Sequence, residues 1–122
     1  MHTFTNSAGG SVYYRRGYFI GGGSGFGRDK IHLKHGITND ETSRKVVGEP
    51  QEIVQDQPEI YPARWVHRKE ALLVGPFSPP ESLVVRVVID YRGWSGPGQF
   101  GIVTAYCEGY PGPCPDWINH AF

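Results

Sequence analysis

The clearest pattern in the chain is the decapeptide SLVVRVVIDY, residues 82–91. Leu83, Val85, Val87, Ile89 and Tyr91 occupy every second position, so an extended backbone places all five on one face. That unbroken apolar face predicts a strand packed on a core. Val84, Arg86, Val88 and Asp90 fall on its other face. A second run, FGIVTAYC (100–107), follows the turn-forming RGWSGPGQ, and the two predict an antiparallel pair. Upstream, QEIVQ is a short strand candidate. PARWVHRK and EALLVGPF predict two further strands, joined as a hairpin across Lys69–Glu70.

The N-terminal part has a different texture. SVYYRRGYFI (11–20) is rich in aromatics and predicts a strand. A short helix is predicted over about Arg28 to His35, ended by Gly36 in the left-handed cap position. Thr38 with Glu41 three residues on is a capping-box pattern, and it starts a second helix that Gly48 and Pro50 end. Residues 1–10 are expected to be flexible. Residues 108–122 are expected to form an irregular tail with Trp117 and Phe122 packed down. The expected fold is therefore α+β: one or two short N-terminal helices packed on an antiparallel sheet of about four strands.

Composition bounds the class. A chain of 122 residues predicts one domain, 1–122, and its 39% hydrophobic and 13% aromatic content is that of a folded chain. No apolar run approaches the ~20 residues of a membrane helix. MHTFTNSAGG has no basic region followed by an apolar run, so no signal peptide is expected. Twelve Lys+Arg balance 12 Asp+Glu, which argues against a protein that coats nucleic acid through broad positive potential. The charges are unevenly spread, however. Up to Gly36 the cations are Arg15, Arg16, Arg28, Lys30 and Lys34, against the single carboxylate of Asp29. Such a local excess can bind phosphate on a neutral chain. Cys107 and Cys114 enclose a Gly- and Pro-containing loop; a disulfide and two free thiols are both compatible with it. Two cysteines without a CxxC spacing do not make a zinc set.

Candidate chemistry is concentrated in four places. In IHLKHGI, His32 and His35 share a helix face, and the helix C-terminus would stabilise a protonated His35 and make it a proton donor near neutral pH. The plain alternative is a surface helix whose histidines do nothing; a metal site lacks a third ligand. GGGSGFGRDK leads into a helix start beside Arg28 and Lys30, where free N–H groups favour an anion, unless it is a simple flexible connection. The basic strand RWVHRK supplies Arg64, His67, Arg68 and Lys69, or else solvated edge charge. Finally, Thr104 and Tyr106 share a sheet face with Arg86 if Val103 and Ala105 point to the core. A hydroxyl, a phenol and a guanidinium together can hold a phosphate, the alternative being a half-wet sheet face.

The order of these pieces, with KHGI closing a helix, a basic strand, a long apolar strand and a last strand carrying IVTAY, resembles the BECR superfamily of small ribonucleases (barnase, EndoU, colicin-type nucleases, RelE-like toxins). The resemblance spans most of residues 28–107. EndoU-like members use two histidines, a lysine and a Thr/Ser-x-Tyr on a late strand. Thr104-Ala105-Tyr106 corresponds to the last, and His35 to a helix-borne histidine. His32 or His67 would be the second histidine, and Lys69 or Lys34 the lysine. Lys34, Arg64, Arg86 and Arg28 would contact phosphate. The interval between His32 and His35 is shorter than between the EndoU histidines. The resemblance implies a toxin-like or phage-associated ribonuclease that needs no cofactor and no metal. It would cleave RNA by 2′-hydroxyl transesterification to a 2′,3′-cyclic phosphate. It also implies a cognate immunity protein or antitoxin, no membrane partner, and action in a cytoplasm, either as a delivered toxin domain or as a free enzyme. Two other readings compete. A protein-binding module of immunity or adaptor type would use Trp65, Trp94, Tyr13 and Tyr14 as interface anchors. An ADP-ribosylating toxin would hold a nucleotide at the glycine stretch, but the Glu motif this needs near a late strand is missing.

Overall fold

Every second residue of 83–91 needs cover, and one sheet face of the structure supplies it. The structure is a computed structural model that describes residues 2–21, 24–55, 57, 59–60, 63–75, 78–93, 99–110 and 112–122. Its elements run β1 (His2–Thr5), β2 (Ser11–Tyr14), β3 (Tyr18–Gly21), β4 (Ser24–Phe26), α1 (Gly27–Leu33), α2 (Asp40–Gly48), β5 (Glu52–Gln55), β6 (Arg64–Gly75), β7 (Ser78–Gly93) and β8 (Gln99–Cys107), with a closing 3₁₀ helix, Asp116–His120. The fold is α+β. Strands β5-β6-β7-β8 form a four-stranded antiparallel sheet, and β1-β2 and β3-β4 form two separate hairpins.

The apolar face of β7 is the floor of the core. Val85, Val87 and Ile89 are fully buried and pack with Ala105 and Ile102 of β8, Ile31 of α1, and Val46 and Val47 of α2. Burying side chains of this size is worth about 1.5–3 kcal/mol each. The sheet is thus covered on one face by the helices and the β1-β2 hairpin. Its other face carries Arg68, Arg86, Thr104 and Tyr106, held in register by the pairs Arg68↔Arg86, Arg86↔Tyr106 and Val88↔Thr104.

Several expectations are corrected. Lys69 and Glu70 do not turn. They lie inside β6, opposite Val85 and Val84, and β6 continues to Gly75, which pairs with Ser78 of β7; a Lys-Glu pair has no turn chemistry to break the strand. Residues 11–20 form two strands rather than one. Residues 2–5 are ordered, because Phe4 packs into the core against the Tyr14 ring at 5.0 Å, and the Asn6 carboxamide oxygen accepts from the N–H groups of Ala8 and Gly10 in the turn. The tail forms the 3₁₀ helix around fully buried Ile118, and Trp117 and Phe122 do pack on the core. The cap of α2 is Asn39, whose side chain accepts from Glu41 N–H, rather than Thr38. Within the glycine stretch, Gly21 ends β3, Ser24–Phe26 form β4 and Gly27 begins α1. The first N–H groups of α1 are taken by main-chain carbonyls, Arg28 on Arg15 and Asp29 on Arg16, so that helix start is not open to an anion. Tyr14 is buried and Trp65 half-buried, so neither stands out as an exposed anchor, and Trp94 lies outside the described residues.

Candidate active site

His35 sits in a turn two residues beyond α1, and three independent ties fix that turn. Gly36 takes the expected left-handed φ, +69°, although α1 ends at Leu33 and is capped by Lys34 rather than closing at His35–Gly36, and a Cβ at Gly36 would meet the Pro113 side chain at 2.9 Å. Only a glycine lets the turn lie this close to the 113–114 segment. The Cys114 N–H donates to the His35 carbonyl at 2.8 Å. The carboxamide of buried Asn119 donates to the Gly36 carbonyl and accepts from the Thr38 and Asn39 N–H groups, at 3.1, 2.8 and 3.1 Å. Cys114 is in turn disulfide-bonded to Cys107, the last residue of β8. The two cysteines therefore form a bridge, and it joins the His35 turn to the strand that carries Tyr106.

The outcome of these ties is a pairing of His35 with Tyr106. Their ring centroids are 5.6 Å apart, with the planes tilted by 38°. They line a cleft of about 230 Å³ together with Lys34, Cys107, Tyr110 and Gly112. The electrostatics are the reverse of the helix-dipole expectation. Burial, followed by the positive charges of Lys30 and Lys34, pushes the His35 pKa down to about 4. The helix stops at Leu33, so His35 lies past its negative end, and desolvation and two cations prevail. The imidazole is neutral at pH 7, which equips it to accept a proton rather than donate one. Lys30 is itself lowered by burial and by Lys34.

Tyr106 continues a row of polar side chains across the sheet. Strand register aligns Glu52, Arg68, Arg86 and Tyr106 on β5 to β8. Glu108, just after β8, accepts two hydrogen bonds from Arg68, each 2.7 Å, and lies 3.8 Å from Arg86 Nε. Arg68 also donates to Glu52 at 2.6 Å. These contacts hold Glu108 below the usual carboxylate range, through the Arg68 hydrogen bond first. Arg68 is thus occupied with carboxylates. Arg86 Nε, apart from its 3.8 Å ion pair with Glu108, and Thr104 Oγ1 are both buried without a hydrogen-bond partner among the described residues. Unpaired buried polar atoms cost about 1–3 kcal/mol each. Here two occur on adjacent strands, on the sheet face that carries Tyr106.

The remaining predicted residues are elsewhere. His32 Nε2 lies 2.9 Å from Asp40 Oδ1, and Arg28 Nε donates to the same carboxylate at 3.0 Å, so both tie α1 to the start of α2. Arg64 pairs with buried Asp90 at 3.4 Å. His67 and Lys69 share the core-side face of β6. His67 is buried and bonded to the backbone of Val47, and burial lowers its pKa. Lys69 donates to the Glu49 carbonyl at 2.7 Å and lies over the Phe122 ring. Neither shares the sheet face of Tyr106, because alternation along β6 points them the other way. The sequence did not point to Glu108, Tyr110 or Asn119, and it suggested Lys30 only as a cation of a helix start, not as a neighbour of His35. Lys30 had a usable signal, lying one helical turn before Lys34. Among the described residues, no three His, Cys, Asp or Glu side chains are grouped as metal ligands.

Comparison of the chain with protein-family models, curated proteins and solved structures finds no significant match.

Proposed function

We propose that this domain is a metal-independent endoribonuclease that cleaves RNA by 2′-hydroxyl transesterification, and that it acts as a toxin domain. The observation that carries the reading is the His35–Tyr106 pair at 5.6 Å, held beside a cationic cleft. A neutral imidazole and a phenol are the complementary halves of acid–base catalysis. In the proposed reaction His35 takes the proton of the 2′-hydroxyl. The 2′-oxygen forms a bond to phosphorus, and the bond from phosphorus to the 5′-oxygen breaks. Tyr106 gives its phenolic proton to that leaving oxygen. The products are a 2′,3′-cyclic phosphate and a 5′-hydroxyl, and His35 returns the proton to Tyr106 through solvent.

The developing charge on the phosphate is met by groups in place beforehand. Lys30 and Lys34 supply positive potential at His35, and Arg86 stands directly across from Tyr106 in the sheet. The Thr104 hydroxyl and the Arg86 guanidinium, whose Nε lies 3.8 Å from Glu108, share the sheet face of Tyr106 and are groups of the kind that hold phosphate oxygens. A toxin of this kind requires a cognate immunity protein or antitoxin in the producing cell, a partner the proposal therefore includes.

The test is incubation of the purified domain with total cellular RNA in EDTA, beside its His35→Ala variant. Cleavage by the parent, ending in cyclic phosphate and lost in the variant, is the expected result. Equal cleavage by both would remove His35 from the mechanism. No cleavage by either would shift the reading to a protein-binding module.

A further inference from the structure

The cleft at His35 and Tyr106 has a neighbour. A second cleft, of about 250 Å³, is lined by Glu81, Ser82, Leu83, Tyr110, Pro115 and Trp117. Tyr110 lines both clefts and is the wall they share. Among the described residues it is one of six large apolar side chains left open to solvent, at 41% exposure. Its place is fixed from both sides: Cys107 and Cys114 close the loop that carries it, and its N–H points to the Cys107 carbonyl at 3.4 Å. The second cleft has an apolar floor, since Leu83 and Trp117 pack down on the core, while Glu81 and Ser82 on its rim are exposed and carry hydrogen-bonding groups.

We propose that Tyr110 and the Leu83–Trp117 cleft form a nucleobase subsite, which takes an unpaired base flanking the phosphate held at His35 and Tyr106. The inference rests on the ribonuclease reading and adds to it a substrate class, single-stranded RNA. Continuity selects the occupant. A strand whose phosphate lies beside Lys34 and His35 meets Tyr110 next, and a base has the flat apolar faces and polar edges that this floor and rim accommodate. A paired base cannot enter, because its edge is occupied and its faces are stacked within the duplex. The subsite is held by the loop rather than by the catalytic pair, so removing it weakens binding while the acid and base remain in place.

The test measures binding and cleavage separately. A 2′-O-methyl tetranucleotide, which cannot form the cyclic phosphate, is titrated into the parent, Tyr110→Phe and Tyr110→Ala, and again with an abasic sugar at each position in turn. Loss of one stacked base weakens binding by about ten-fold or more. The expected result is that loss with Tyr110→Ala, retention with Tyr110→Phe, and one abasic position that weakens the parent but not Tyr110→Ala. With cleavable RNA, Tyr110→Ala raises KM with kcat little changed, and the parent cuts single strands in preference to duplexes. If the parent binds and cleaves RNA but Tyr110→Ala does both equally well, the subsite is wrong and the ribonuclease reading survives. If the parent neither binds nor cleaves, both fall.

Discussion

The Cys107–Cys114 bridge offers the sharpest test of how this site is held. The bonded cysteines are 7 residues apart in sequence. Closing a loop of that size removes about 8 cal/mol/K from the unfolded chain, or about 2.4 kcal/mol at 25 °C. Across 122 residues, at about 2.1 cal/mol/K each, the entropy of unfolding near the midpoint is about 260 cal/mol/K, so the double variant Cys107→Ser/Cys114→Ser should melt about 9 °C lower. The bridge also supports the site directly. Cys114 holds the His35 carbonyl, and Cys107 follows Tyr106. Releasing it lets the His35 turn move relative to β8. A displacement of about 1 Å can cost on the order of 10²-fold in rate. The assay pairs thermal unfolding by circular dichroism with RNA cleavage at a temperature where the variant is fully folded, and the parent treated with dithiothreitol is measured alongside. A folded variant with much-reduced kcat is the expected outcome. A melting temperature unchanged within about 2 °C, with full activity, would refute both the entropic estimate and the positioning argument.

Other consequences are as direct. His35→Ala should lower kcat by at least about 10²-fold while the far-ultraviolet spectrum stays the same; a variant of parental activity would place the base elsewhere. Because the His35 pKa is about 4, the acidic limb of kcat/KM should fall near pH 4 and the rate should be flat from there toward neutrality. A limb near 6.5 would show an exposed imidazole instead. The same shift links pH to stability. The unfolded histidine binds its proton near pH 6.5 and the folded one near 4, so stability is lost as pH falls through that window, and a denaturant titration of the parent against His35→Gln should show the difference. Asn119→Ala strands the Thr38 and Asn39 N–H groups, which should cost about 1–3 kcal/mol in urea unfolding and lower kcat more than it raises KM.

The long-period features of this fold were legible because burial imposes them. The apolar face of 83–91 is the core floor, and alternation alone put Arg86, Thr104 and Tyr106 on one side. On β8, Ala105 faces the core as the alternation predicts, but the phase changes just before it. A bulge pairs Val88 with Thr104 but Ile89 with Ile102, so Val103 is an extra residue and Ile102 is the one fully buried. A period-two pattern carries no mark of where such a bulge resets its phase. The internal hairpin at Lys69–Glu70 failed for a related reason. Two adjacent strands and one long strand have the same alternation, and Lys69–Glu70 carries none of the turn residues that would divide them.

The charge state of His35 was illegible on different grounds. Position at a helix end is a local property that sequence reveals. Desolvation comes instead from β8 and the disulfide loop, which lie some 70 residues further along the chain. The helix dipole is worth about 0.3–1 kcal/mol at an exposed end, whereas burial shifts a titrating group by up to several pKa units. The non-local contribution therefore decides the sign. It also decides the division of labour proposed for the site. With the imidazole neutral and Lys30 and Lys34 beside it, protonation of His35 would add a third cation to a half-buried corner, so the resting state is the base. The proton for the leaving oxygen must then come from another group, and Tyr106, facing His35 across the cleft, is placed to provide it. Tyr106→Phe keeps the ring contact and removes only that proton. It should slow cleavage of RNA far more than cleavage of a substrate with a good aryloxide leaving group, which needs no acid.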